Sequence, residues 1–180
     1  MKLVILDRDG VINQDSDRYI KSPAEWQPLP GSIEAIARLH QGGFRVVVAT
    51  NQSGIGRGLF DMATFNAMND KMMEMVFRQG GRIDALFFCP HTEAENCGCR
   101  KPRTGMFDEI AARLHVELKG VPCVGDALRD LQAAEAMGGL PILVLTGKGK
   151  KTKEEGGMPR KTQVFADLAE VSRHLVSAKE

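Results

Sequence analysis

Asp7 and Asp9 stand two residues apart at the end of the apolar run Lys2–Leu6, and Gly10 follows them. A short run containing Val and Ile suits a strand buried on both faces, and side-chain alternation then puts the two carboxylates on one side of the chain. Close carboxylates repel, so the pair calls for a cation, and a hard divalent ion such as magnesium prefers oxygen donors while keeping positions for water and phosphate. Taken alone, the same residues also fit an acidic turn after an ordinary strand. Three further segments narrow the choice: Thr50 and Asn51, Arg100 and Lys101, and Gly125-Asp126 with Asp130 each follow a candidate strand. Together they supply what phosphoryl transfer requires: a carboxylate to attack phosphorus, a second to protonate the leaving oxygen, a third for a metal ion, and a hydroxyl and a lysine for the transferring oxygens. A separate donor set lies in one loop, where Cys89, His91, Cys97 and Cys99 offer three thiolates and an imidazole. Four soft ligands fill a tetrahedral zinc site with no place left for water, so a structural ion is expected, the alternative being free thiols.

These residues need a scaffold that brings strand ends together, and the chain alternates strand and helix throughout. After the first strand, residues 13–30 are polar, hold Tyr19, Trp26 and three prolines, and read as an ordered flap beside the site. Ile33, Ile36, Ala37 and His40 predict a helix ended by Gly42-Gly43, and Phe44–Ala49 a second strand. Asp61 is placed to cap a helix carrying Phe65, Met68, Met72 and Met75, a stripe that reads as core packing. Ile83–Phe88 predicts a third strand, Met106 to Leu114 a helix, Val121–Val124 a fourth strand, Asp130–Met137 a helix and Pro141–Leu145 a fifth strand. Thr146–Lys161, rich in Lys, Gly and Glu and without apolar periodicity, reads as a mobile loop or a late-ordering flap, a solvated connection being the favoured reading. Val164-Phe165 and a helix with Leu168, Val171 and Leu175 complete the chain. His40, His115 and His174 are expected on helix faces, and Cys123 as a buried, inert thiol.

The sequence has 180 residues and a net charge of +1, which predicts one domain over 1–180 and no electrostatic footprint for nucleic acid or an anionic membrane. No apolar segment is long enough to span a bilayer and no signal peptide opens the chain, so a cytoplasmic monomer acting on a small molecule is expected. In such a reducing compartment, clustered cysteines favour metal over disulfides.

The ordered set Asp7-Arg8-Asp9-Gly10, Thr50-Asn51-Gln52, Lys101, and Gly125-Asp126 with Asp130 resembles the haloacid dehalogenase superfamily of phosphatases over the whole chain. The resemblance implies a Rossmann-like three-layer α/β fold with a central parallel sheet and a minimal cap. It makes Asp7 the nucleophile of an aspartyl-phosphate, Asp9 the general acid and then base, and Thr50 and Lys101 the clasp on the phosphoryl group. Magnesium would be held by Asp7, the backbone carbonyl of Asp9, and Asp126. With the cysteine loop and Arg100-Lys101-Pro102, the pattern is similar to the heptose-bisphosphate 7-phosphatase branch, which serves lipopolysaccharide precursor synthesis; histidinol-phosphate phosphatases are the alternative. That branch implies contacts to a phosphorylated sugar from Asp15, Arg18, Tyr19, Asn51, Gln52, Ser53, Arg57 and Arg100, with Arg100 on the distal phosphate. It also places a lysine after the magnesium-binding aspartate, where this chain has Ala127; Arg129 is the candidate substitute. Surface ion pairing is the alternative for Arg57, Arg129 and Asp130, and for Arg57 and Arg129 it fits as well as substrate contact does.

Overall fold

The computed structural model describes residues 2–178. Its centre is a six-stranded sheet, all parallel, built from β1 (Lys2–Leu6), β2 (Phe44–Asn51), β3 (Ala85–Cys89), β4 (Pro122–Gly125), β5 (Leu140–Val144) and β6 (Gln163–Phe165), in the order β3-β2-β1-β4-β5-β6. The chain moves outward from β1 to β3 and then returns to place β4 against the free side of β1. That reversal opens a crevice beyond the carboxyl ends of β1 and β4, where open parallel sheets place their ligands.

Alternation along β1 sorts its residues between two cores. Val4 and Leu6 face a cluster with α1 (Ser32–Gln41), α3 (Met62–Arg78) and α7 (Leu168–Ser177). Leu3 and Ile5 face Met106, Phe107 and Ile110 of α4 (Gly105–Leu114), and Ala133 and Ala134 of α5 (Leu128–Ala136). The three layers expected from the alternating pattern are therefore present, with Phe65, Met68 and Met72 packed as core. Asp61 caps α3, its carboxylate accepting from the Thr64 amide at 2.8 Å.

Three expectations change. A four-residue helix, α2 (Ser53–Gly56), follows β2 where a loop was expected. Thr146–Lys161 is not a featureless connection: it contains α6 (Gly149–Glu155), whose Gly149 and Thr152 are buried. Its sequence hides the helix because one to two turns without a large apolar residue carry no period to read. His115 sits past α4 in the left-handed region, at φ 51, rather than on a helix face.

The stretch before α1 is ordered, as its aromatic residues suggested. Trp26 is fully buried with Ile12 and Ile20 in the larger core, and Lys71 of α3 donates to the carbonyls of Pro23 and Trp26, each at 2.7 Å. No helix among the described residues is long and apolar enough to cross a membrane.

Candidate active site

Parallel pairing delivers the polar strand ends to one edge. The Asp7 amide donates to the Val124 carbonyl at 2.9 Å, continuing the β1–β4 ladder by one residue, so Asp7 and Asp126 emerge side by side. Asp130 joins them from the first turn of α5, and the three buried carboxylates each place an oxygen within 4.8 Å of the others. α5 begins irregularly: Ala127 is extended, at φ −120° and ψ 152°, and its amide donates to the Asp130 carboxylate at 3.1 Å. That turn buries Asp130, which fits its place in the strand-end set and not the surface ion-pairing alternative.

Lys101 is the counter-charge. Its ammonium lies 3.0 Å from Asp7 and 2.7 Å from Asp130 and donates to the Ala49 carbonyl at 2.8 Å. The ion pairs hold Lys101 charged against the pull of burial, and Lys101 with Arg129 overcomes burial to hold Asp130 below the usual carboxylate range. Asp7 and Asp126 remain short of positive charge. Burial, opposed by Lys101 but reinforced by Asp130, raises Asp7 to about 6; burial with the charges of Asp130 and Asp7 raises Asp126 to about 8. Two hard carboxylate donors whose charged form is disfavoured without a further cation, with the ionised Asp130 beside them, fit a magnesium ion.

Asp9 faces elsewhere. Its Oδ1 accepts from Arg8 at 3.0 Å and Asn13 at 2.9 Å, and its Oδ2 accepts from Gln52 at 3.1 Å. Burial favours its neutral form, but Arg8 and these hydrogen bonds outweigh that and keep the carboxylate ionised. Arg8 is itself fully buried, bonded to Asn69 at 3.1 Å and lying over the Phe65 ring. Gln52 also donates to Thr50 Oγ1 at 2.9 Å, tying β2 to Asp9. The Thr50 hydroxyl has only a long 3.5 Å contact to the Asn51 carbonyl for its own proton.

Above these groups is a cavity of about 170 Å³, lined by Asp7, Asp9, Asp15, Ser16, Asp17, Tyr19, Ile20, Thr50, Asn51, Gln52, Ser53, Arg100, Arg129 and Lys148. Of the expected sugar contacts, Asp15, Tyr19, Asn51, Gln52, Ser53 and Arg100 line it. Arg18 and Arg57 are exposed and outside the lining, Arg57 resting 5.9 Å from the centre of the Tyr19 ring. The Asn51 side chain is engaged by the Lys101 main chain, donating to its carbonyl at 3.2 Å and accepting from its amide at 3.1 Å. Arg129 does reach the cavity. The irregular start of α5 turns it inward, and its buried Nε lacks a hydrogen-bond partner, as does Nη1 of Arg100. Lys148 was not foreseen, because it lies in the Lys-rich run; it reaches Asp15 at 3.4 Å and Asp17 at 3.8 Å across the cavity mouth.

Beside the cavity the four soft donors converge. Cys89 Sγ lies 3.1 Å from Cys99 and 3.6 Å from Cys97, Cys97 and Cys99 are 3.5 Å apart, and His91 Nδ1 is 3.6 Å from Cys89 and 3.3 Å from Cys99. These separations approach the edge of about 3.8 Å of a zinc–thiolate tetrahedron, and none of the four cysteines is disulfide-bonded. The loop grips the active site from two sides. The Cys89 carbonyl accepts from the Gln52 amide at 2.7 Å, Pro90 accepts from Gly56 at 2.9 Å, and the loop's far end continues directly into Arg100 and Lys101. A side chain at Gly56 would meet the Pro90 carbonyl at 2.6 Å, so this close approach requires glycine.

The comparisons agree with this geometry. The HAD-hydrolase-like family model matches residues 98–171. The D-glycero-beta-D-manno-heptose-1,7-bisphosphate 7-phosphatase of Bordetella bronchiseptica is 58% identical over 176 residues, covering 98% of each chain, and that of Pseudomonas putida is 52% identical over 176 residues, covering 98% of this chain and all of the relative. Among solved structures, the D,D-heptose 1,7-bisphosphate phosphatase of B. bronchiseptica, complexed with magnesium and phosphate, superposes with a TM-score of 0.96 over 98% of each chain. The Burkholderia thailandensis enzyme of the same description gives 0.80 at 53% identity, covering 99% of this chain and all of that one. The chain therefore belongs to the haloacid dehalogenase-like hydrolases, in the family of these heptose-bisphosphate phosphatases.

Proposed function

We propose that this chain is a magnesium-dependent phosphatase that removes the 7-phosphate of D-glycero-D-manno-heptose 1,7-bisphosphate through an aspartyl-phosphate, with a structural zinc in the cysteine loop. The observation that carries the reading is the convergence of Asp7, Asp126, Asp130 and Lys101 at the β1–β4 crevice. Full-length identity to enzymes named for this reaction supports it.

In the first step an Asp7 oxygen attacks phosphorus, the bond from phosphorus to the C7 oxygen breaks, and Asp9 gives that oxygen a proton. In the second, Asp9 takes a proton from water, the water oxygen attacks phosphorus, and phosphate leaves with Asp7 restored. The hydrogen bonds to Asp9 set it as a base, and an incoming phosphoryl dianion beside it raises its proton affinity, so that one residue serves both steps. Thr50 donates its unclaimed hydroxyl proton to a phosphoryl oxygen, and Lys101 offsets the charge developing there while keeping Asp7 in line. Magnesium, held by Asp7, the Asp9 backbone carbonyl and Asp126, would neutralise phosphoryl charge.

The distal phosphate falls to Arg100 and Arg129, each with one buried guanidinium nitrogen, Nη1 and Nε respectively, that lacks a partner; Arg129 thereby takes the part that a lysine at position 127 would have played. Zinc held by Cys89, His91, Cys97 and Cys99 would fix the loop that presents Arg100 and Lys101. Phosphate release with magnesium, measured in parallel on heptose bisphosphate, histidinol phosphate and a 3'-phosphorylated oligonucleotide, tests the assignment. Preference for the heptose bisphosphate is expected; preference for histidinol phosphate would move the chain to the alternative substrate, and release from none would overturn the reading.

A further inference from the structure

The segment that opens the Lys-rich run has no part in the steps above, yet its first turns touch two corners of the acidic site at once. Thr146 Oγ1 donates to the Gly10 carbonyl at 2.7 Å, the Lys148 amide donates to Asp126 Oδ2 at 2.8 Å, and Thr152 Oγ1 donates to the Asp126 carbonyl at 2.7 Å. Thr152 is buried on α6, so its hydroxyl is spent on that one bond and not on water. The approach is close enough to require glycine on both sides. A Cβ at Gly147, where φ is +54°, would lie 2.2 Å from Asp126 Oδ2, and one at Gly10, where φ is +86°, would lie 2.0 Å from the same oxygen.

Asp126 needs such support, because it faces two like-charged neighbours, Asp7 and Asp130, which favour its turning away. The Lys148 amide fixes the carboxylate, and Thr152 fixes the backbone from which it projects. We infer that residues Thr146–Thr152 are a positioning element for the magnesium-binding corner, with Thr152 its main positioning residue. The inference rests on the reading that Asp126 holds magnesium. Groups that orient metal ligands without touching the metal contribute on the order of tenfold or more to affinity. The same segment carries Lys148 to Asp15 and Asp17, so the element that orients Asp126 also meets the flap.

Direct calorimetric titration of the full-length protein with magnesium chloride tests this. Thr152→Val keeps the shape and removes the hydroxyl; it is expected to weaken magnesium binding about tenfold and to raise the half-saturating magnesium of turnover by the same factor, with Thr152→Ser restoring both to within about twofold. Thr146→Val, at a half-exposed position, gives a second test should the buried change prevent folding, with a loss of about threefold expected. Wild-type affinity in folded Thr152→Val, or in Thr146→Val where the first does not fold, overturns the inference alone. So does equal weakening by Val and Ser that follows lost thermal stability. Wild-type protein that takes up no magnesium overturns the underlying reading instead.

Discussion

The carboxylate cluster and the thiolate cluster both gather donor atoms to within 4.8 Å, and they do so in opposite ways. Asp7 lies more than a hundred residues before Asp126 and Asp130 in the chain and meets them only because β1 and β4 are neighbours in the sheet. Cys89, His91, Cys97 and Cys99 come from eleven consecutive residues and meet through local turns, among them a 3-10 turn at Glu93–Glu95. The oxygen cluster is buried, short of positive charge and open toward a cavity, and so is built to receive something. The sulfur cluster is complete in itself, with four donors for four tetrahedral positions. Its influence reaches the chemistry through the backbone, at the Gln52 amide and through Arg100 and Lys101. In the proposed reading one cluster carries reactivity and the other carries shape.

Substitutions that break the contrast should rank accordingly. Asp7→Asn, which removes the proposed nucleophile with little change of volume, is expected to lower turnover by at least about a thousandfold while leaving the thermal midpoint near that of wild type. Lys101→Met should cost both activity and stability: about a hundredfold in turnover, and about 3 kcal/mol in denaturant unfolding, because two buried carboxylates lose their partner. Cys97→Ser strikes the other cluster. Elemental analysis should show one zinc per chain in wild type and little in the variant, and the thermal midpoint should fall by more than the turnover of protein that remains folded; zinc-free wild type, purified without chelator, would refute the premise.

The smallest effect concerns protons. Asp126 is raised from 3.8 to about 8 and Asp7 from 3.8 to about 6, so at pH 7 the metal-free site holds a proton, mainly on Asp126, that magnesium must displace. Magnesium binding should therefore release protons, seen as a buffer-dependent heat, and weaken as pH falls from 8 to 6. The sign for stability is the reverse: the two raised groups favour the metal-free fold fully below pH 3.8, and that contribution is lost as pH rises through about 6 and then about 8. Magnesium at pH 8 should restore the loss in a thermal melt.

The same contrast explains which parts were legible from the sequence. The Cys-His loop is local, so spacing alone exposes it. The strand ends of the candidate site are not local, but each is marked by an apolar run stopping at a polar residue, which places Asp7, Thr50 and Asp126 at one edge from the sequence alone. Asp130 was legible as part of the strand-end set, whereas Arg129 was obscured because helical spacing assumes a regular start, and Ala127 is extended and turns it inward. Lys148 and Thr152 were hidden by composition: a lysine-rich run reads as solvated, and nothing in its residue types reveals that Gly147 packs against Asp126. What sequence does not encode locally is which backbone passes close to which carboxylate.

The central claim is that Asp7 becomes phosphorylated. Rapid quenching of the reaction with substrate radiolabelled in the 7-phosphate, followed by digestion and mass analysis, addresses it directly. Label should appear within the first turnover on the peptide containing Asp7, be released by hydroxylamine as an acyl phosphate is, and form only when magnesium is present. Turnover with the label on another residue, or sustained release of phosphate by folded Asp7→Asn at the wild-type rate, would contradict the account.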